Sequence, residues 1–153
     1  MLYISMKIKL TIALLFAFGL SQLHAQTKPA VKAHSKTPAV SASSIANGQK
    51  VYTQYCLSCH QVDGGGVPNM NPPLSKTSYV NGDKTRLIKV VLNGFMQPVE
   101  IDGESYSNNM PPHNFLKDQE IADVLTYIRN SFKNKGTAIT VAQVKKTRAS
   151  AKK

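Results

Sequence analysis

Cys56-Leu57-Ser58-Cys59-His60 is the stretch of this chain whose residue types and spacing define a chemistry. Two thiols three residues apart fit on one helical turn. At that spacing they can add to the two vinyl groups of one porphyrin, and the next imidazole then points at the iron. The motif predicts one haem c, held by thioethers through Cys56 and Cys59, with His60 as an iron ligand. Three other chemistries fit less well. A redox-active dithiol belongs in a βαβ setting, and none is visible. A structural zinc site takes four ligands, usually from two separated pairs, and the chain has 2 cysteines. A plain disulfide leaves His60 idle.

The sixth coordination position decides between a carrier and an enzyme. Its candidates are Met70, Met96, Met110 and His113. Met70 follows His60 too closely to leave the histidine side of the ring. Met96 comes just after Gly94 and is placed at the haem edge. Met110 precedes Pro111-Pro112, which stiffen the chain and remove two backbone donors. It also has enough chain behind it to pass around the ring. Met110 is the expected ligand, with His113 as its substitute. His/Met ligation raises the reduction potential.

These residues need elements to hold them. Val51, Tyr52, Tyr55 and Cys59 fall at helical spacing, so a helix from about Ile45 should run to the motif, capped by Ser43 or Ser44. Gly48 inside it costs helix stability and implies another helix crossing closely. Gly64-Gly65-Gly66, Pro68, Pro72 and Pro73 define a loop. The glycines have no Lys-Ser/Thr pair and no preceding strand, which argues against a phosphate site. A second helix is expected from Asp83 to just before Gly94, then a loop from Phe95 to Phe115. Ile121, Val124, Leu125, Ile128 and Phe132 give the best periodicity, a helix over Asp118–Phe132. Asp118, Glu120 and Asp123 lie in its first half, and Arg129 and Lys133 toward its end, as the helix dipole prefers. Thr140-Val141-Ala142-Gln143 reads as a capping box for a short helix. The basic residues after it read as a solvated, frayed end, with a docking arm as the alternative. No strand is expected.

Outside the core, Lys7 and Lys9, the apolar run Leu10–Leu20 and Leu23-His24-Ala25 read as a signal peptide over residues 1–25. An uncleaved membrane anchor is the alternative, for which the run is short. Residues 26–44 read as a flexible linker, with His34 solvated. Residues 45–133 are the folded domain, and 134–153 a basic tail. The chain is exported, on this reading, to the periplasm. Its formal net charge is +11; residues 1–25 hold Lys7 and Lys9 and no acid, so their removal leaves +9. Such a field steers a protein toward acidic partners or an anionic membrane surface. Nucleic acid is disfavoured by export and by the lack of a basic stripe interleaved with aromatics. A domain of this size buries a limited core by itself, and a buried macrocycle supplies apolar surface.

Residues 45–133 resemble a class I c-type cytochrome. The resemblance lies in Gly48-x-x-x-Tyr52, Cys56-x-x-Cys-His60, Pro72-Pro73-Leu74, Met110-Pro111-Pro112 and Leu125-x-Tyr127, and extends into the Thr140 tail. It is strongest to small cytochromes that serve copper nitrite reductases, quinoprotein dehydrogenases or terminal oxidases. The resemblance implies an all-α cytochrome c-like fold, three to five helices around one covalent haem. It implies that the Pro72 carbonyl accepts from His60 Nδ1, that Leu74 packs on the ring, and that Met110 is the ligand. It also implies that Gly48 and Tyr52 cross the last helix of the domain near Val124 and Tyr127. Lys117 departs from the pattern, standing where Ser or Thr commonly caps that helix.

Two functions are compatible with these features. One is a non-enzymatic electron carrier between extracytoplasmic redox proteins, with both axial positions filled. The other is a haem enzyme or a gas or redox sensor with a displaceable sixth ligand, His113 and Asn109 being its candidate distal groups. A haem subunit of a larger dehydrogenase or oxidase is a variant of the first.

Overall fold

The Ser41 hydroxyl accepts from the Ser44 N–H at 3.0 Å and opens the first helix, α1, Ala42–Tyr55. A computed structural model describes residues 39–151 of the chain, so the expected signal peptide and most of the expected linker lie outside the described residues. The helix thus begins inside the segment read as linker, and its cap is Ser41 rather than Ser43 or Ser44. Ser44 instead faces the far end of the chain, where its hydroxyl donates to Asp123 Oδ1. After a break at Cys56 the chain makes a single turn, α2, Leu57–His60.

Two further elements lead toward the second long helix. Thr77 caps a one-turn helix, α3, Ser78–Asn81, which the sequence did not suggest. Asp83 caps α4, Lys84–Asn93, by accepting from the Arg86 N–H at 2.6 Å, and Gly94 ends it as expected. A hairpin follows, correcting the expectation of no strand. β1, Val99–Ile101, pairs antiparallel with β2, Glu104–Tyr106. Asp102 and Gly103 turn it with φ of 54° and 88°, the left-handed pair that an Asp-Gly hairpin uses.

α5, Asp118–Asn130, carries the apolar face read from the sequence, and Ile121, Val124, Leu125 and Ile128 are all buried. It stops before Phe132, which lies outside it at a φ of 54°. The missing Ser or Thr cap is partly replaced: Glu120 Oε2 accepts from the Lys117 N–H at 2.7 Å. Two charges credited to the helix dipole are in fact buried. Asp123 accepts from Ser44 and from Gln119 Nε2. Arg129 donates from Nε to the Thr137 carbonyl at 3.1 Å and from Nη1 to that of Val80.

α1 and α5 cross at Gly48. A Cβ there would strike the Asp123 carbonyl and come within 2.7 Å of the Tyr127 Cβ. One turn on, the Tyr52 ring sits 5.5 Å from that of Tyr127 and 5.2 Å from that of Phe132. The described part of the tail is helical rather than frayed. α6, Val141–Ala151, starts with the expected Thr140–Gln143 box, buries Val144 completely and joins the core shared by α4 and α5. Its basic residues hid one inward stripe of Val144 and Thr147. The described residues therefore hold six helices, two of them single turns, and one small hairpin. None of those helices is long and apolar enough to cross a membrane.

Candidate haem site

The cysteine motif straddles the α1–α2 break. The Cys56 N–H continues α1 by donating to the Tyr52 carbonyl at 2.9 Å, and the His60 N–H donates to that of Cys56 at 2.9 Å. Gln61 ends the turn at a φ of 64°, and its carbonyl accepts from the Tyr52 hydroxyl at 2.6 Å. Tyr52 thus fixes both the packing of α1 and the exit from the motif. Cys56 and Cys59 are both free thiols. Burial pushes the Cys56 thiol up to about 12, with Cys59 adding to the shift.

The loop after His60 folds back over it. Val67 and Asn71 exchange backbone hydrogen bonds at 2.8 Å, and the Leu74 N–H donates to the Gly64 carbonyl at 2.7 Å. That return places the Pro72 carbonyl 3.0 Å from His60 Nδ1. A carbonyl only accepts, so Nδ1 carries the proton and Nε2 keeps its lone pair. Burial holds the His60 pKa below its ordinary value; the Pro72 bond opposes that shift and nearby His113 adds to it. The imidazole is thereby favoured as neutral, the form that binds a metal.

Cys56, Cys59, His60, Pro72, Leu74 and Met110 all line one cavity, walled mainly by apolar side chains including Val91, Leu116 and Leu125. Its volume is about 200 Å³, and its mouth is open to solvent. A porphyrin fits this site on three grounds: the walls are apolar, two free thiols lie three residues apart at its edge, and one imidazole is oriented with a free nitrogen.

Met70 and Met96 are exposed and do not line the cavity, whereas Met110 is half-buried within it. Met110 N–H donates to the Phe95 carbonyl at 2.7 Å, and Phe95 N–H donates to the Met110 carbonyl at 2.9 Å. Gly94 makes this approach possible: with a φ of 68°, a Cβ there would meet the Met110 carbonyl and lie 2.9 Å from Pro111 C. His113 and Asn109 also line the cavity. His113 Nδ1 is buried with no hydrogen-bond partner among the described residues.

Sequence reasoning missed Asn134. Its amide donates to the Leu74 carbonyl at 2.8 Å and the Ile128 carbonyl at 2.9 Å. Its oxygen accepts from the Lys76 N–H at 2.8 Å. It buttresses the Leu74 wall from outside, a role that no local pattern around residue 134 announces.

The chain matches the Cytochrome c family model over residues 45–132, more than half its length. It is 38% identical over 113 residues to cytochrome c-552 of Thermus thermophilus, covering 68% of this chain and 86% of that protein. It is also 38% identical over 104 residues to the cytochrome c subunit of a quinone alcohol dehydrogenase of Gluconacetobacter polyoxogenes, covering 66% of this chain and 22% of that subunit. Cytochrome c6 of Diacronema lutheri is 32% identical over 88 residues, covering 55% of this chain and 92% of that protein. The chain belongs to the Cytochrome c family. It is a mono-haem electron-transfer protein carrying covalently attached haem c.

Proposed function

We propose that this protein is an exported, periplasmic electron carrier with His60 and Met110 as axial ligands, passing single electrons between protein partners and catalysing no reaction itself. The bound haem supplies the one-electron couple. Cys56 and Cys59 tether it, Pro72 orients His60, and Leu74 contributes a wall. The observation carrying this reading is that Met110, alone among Met70, Met96 and Met110, lies in the cavity with both backbone polar groups fixed. The partners are redox proteins with acidic docking patches, for which the +9 formal charge left after removal of residues 1–25 is complementary. The same charge supports peripheral association with anionic membrane. The dehydrogenase cytochrome subunits among its relatives support a dehydrogenase as one such partner.

A second reading rests on His113, whose buried Nδ1 lacks a partner among the described residues: a haem enzyme or sensor in which Met110 is displaceable. The visible spectrum of haem-loaded protein separates the two. The carrier is low-spin, with a far-red sulfur-to-iron band that Met110→Ala abolishes. A high-spin wild type that binds carbon monoxide readily would sink the carrier reading.

A further inference from the structure

The match to the family ends at residue 132, yet the chain continues through an ordered return and α6. The return runs along the end of α5. Gly136 N–H donates to the Arg129 carbonyl at 2.7 Å, and Ile139 N–H to Thr126 Oγ1 at 3.0 Å. With Val144 and Thr147 buried, Arg148 stands at the edge of the inward stripe.

Its guanidinium makes three hydrogen bonds, each 2.7 Å long: Nη1 to the Asn114 carbonyl, Nη2 to the Leu116 carbonyl and Nε to Asp118 Oδ1. All three acceptors lie between Met110-Pro111-Pro112 and the first turn of α5. Neither carbonyl has another protein donor among the described residues. Upstream, the segment is fixed where Met110 pairs with Phe95 and where His113 N–H donates to the Val91 carbonyl at 2.8 Å. Pro111 and Pro112 offer no N–H between those points. Downstream, the Leu116 N–H donates to the His113 carbonyl at 3.1 Å and the Leu116 side chain is buried, while the Asn114 and Leu116 carbonyls are held from α6. A planar guanidinium holds two carbonyls and a carboxylate in fixed directions, which an ammonium cannot do.

We propose that Arg148 is a positioning residue for the sixth ligand: from α6 it clamps the 114–118 segment and so keeps Met110 seated in the cavity. This rests on the Met110 reading above. Arg148 and Asp118 are each partly exposed, at 23% and 22% of the side chain, so their ion pair contributes little to global stability. The effect is local, on the ligand segment.

The test uses haem-loaded wild type, Arg148→Ala, Arg148→Lys and Asp118→Asn. Imidazole is titrated into the ferric protein while the far-red sulfur–iron band is followed, with far-ultraviolet dichroism recorded on the same samples. Arg148→Ala keeps its helical signal but loses the band at roughly tenfold less imidazole, about 1.4 kcal/mol of Met110 seating. Arg148→Lys is intermediate, and carries the comparison should Arg148→Ala fail to fold. Asp118→Asn, which keeps both carbonyl bonds, stays within about twofold of wild type. Imidazole midpoints for both Arg148 variants within twofold of wild type overturn the clamp. A wild type without the band overturns the Met110 reading, and the clamp falls with it.

Discussion

The backbone of α1 at Gly48 rests directly on the carbonyl of Asp123, with no room for a side chain between them. Alanine is the better helix former and would strengthen α1 in isolation. In the folded protein its methyl must push α1 off α5. Gly48→Ala is expected to destabilise the haem-loaded protein by about 1–3 kcal/mol, the usual cost of overpacking. Denaturant unfolding followed by dichroism measures this; an unchanged or raised midpoint contradicts it.

Tyr52→Phe keeps the ring against Tyr127 and Phe132 and removes only the bond to the Gln61 carbonyl. The expected loss is about 1 kcal/mol. Because Gln61 ends the turn bearing His60, amide hydrogen exchange should quicken at His60 and Gln61 more than in α5. Uniform acceleration across the protein would show that Tyr52 acts on the fold as a whole.

Asn134→Ala leaves the Leu74 and Ile128 carbonyls without their amide donor in a buried setting. A loss of roughly 1–3 kcal/mol is expected. Since Leu74 lines the haem cavity, the Soret maximum or haem circular dichroism should shift as well. A stability loss with unaltered haem dichroism would mean that the wall does not depend on this bracket.

Asp102 reports on the hairpin. Hydrogen bonds from the Ser78 hydroxyl and, at 2.9 Å, the Ser78 backbone N–H hold its carboxyl below the ordinary 3.8. A carboxyl with a depressed folded pKa adds stability above its unfolded pKa and loses it as pH falls through the folded value. The Ser78–Asp102 tie should therefore persist below pH 3.8 and break only under stronger acid. Carbon-detected titration of Asp102 by NMR checks this, and a midpoint at or above 3.8 refutes it.

Met110→His tests the ligand through its electronics. Replacing thioether by imidazole should keep the iron low-spin, remove the far-red band and lower the reduction potential. The fall should be on the order of 0.1 V, within the roughly 0.8 V that axial ligands span. Redox titration measures it, and an unchanged potential would mean that Met110 does not touch the iron.

The sequence made local features readable wherever one short stretch carried the whole physical cause. Asp83 and Gly94 bracket α4 because caps act within a turn. Ile121, Val124, Leu125 and Ile128 mark α5 because its buried face is continuous. Cys56, Cys59 and His60 are legible because their chemistry demands contiguity. Features that depend on distant partners were hidden. Ser41 replaced Ser43 and Ser44 as cap because Ser44 is drawn to Asp123. Arg129 is buried because the carbonyls of Val80 and Thr137 happen to satisfy it. The hairpin was missed although Asp102-Gly103 between Val99–Ile101 and Tyr106 is a recognised turn signal; its three-residue strands are too short for a period to show. Arg148 was lost in a run of lysines, where nothing local distinguishes a clamp from a solvated charge.

Ser44 and Asp123 are 79 residues apart in sequence yet share a hydrogen bond. The principal helix pair thus joins the first described helix to nearly the last. A loop of that length must close before either helix gains its partner, and topologies of high contact order fold slowly. Until closure, Tyr52 lacks its aromatic neighbours and Cys56 lacks its cover. The Cys56 thiol is therefore most accessible in a chain still searching for its fold, whereas Cys59 stays exposed after it.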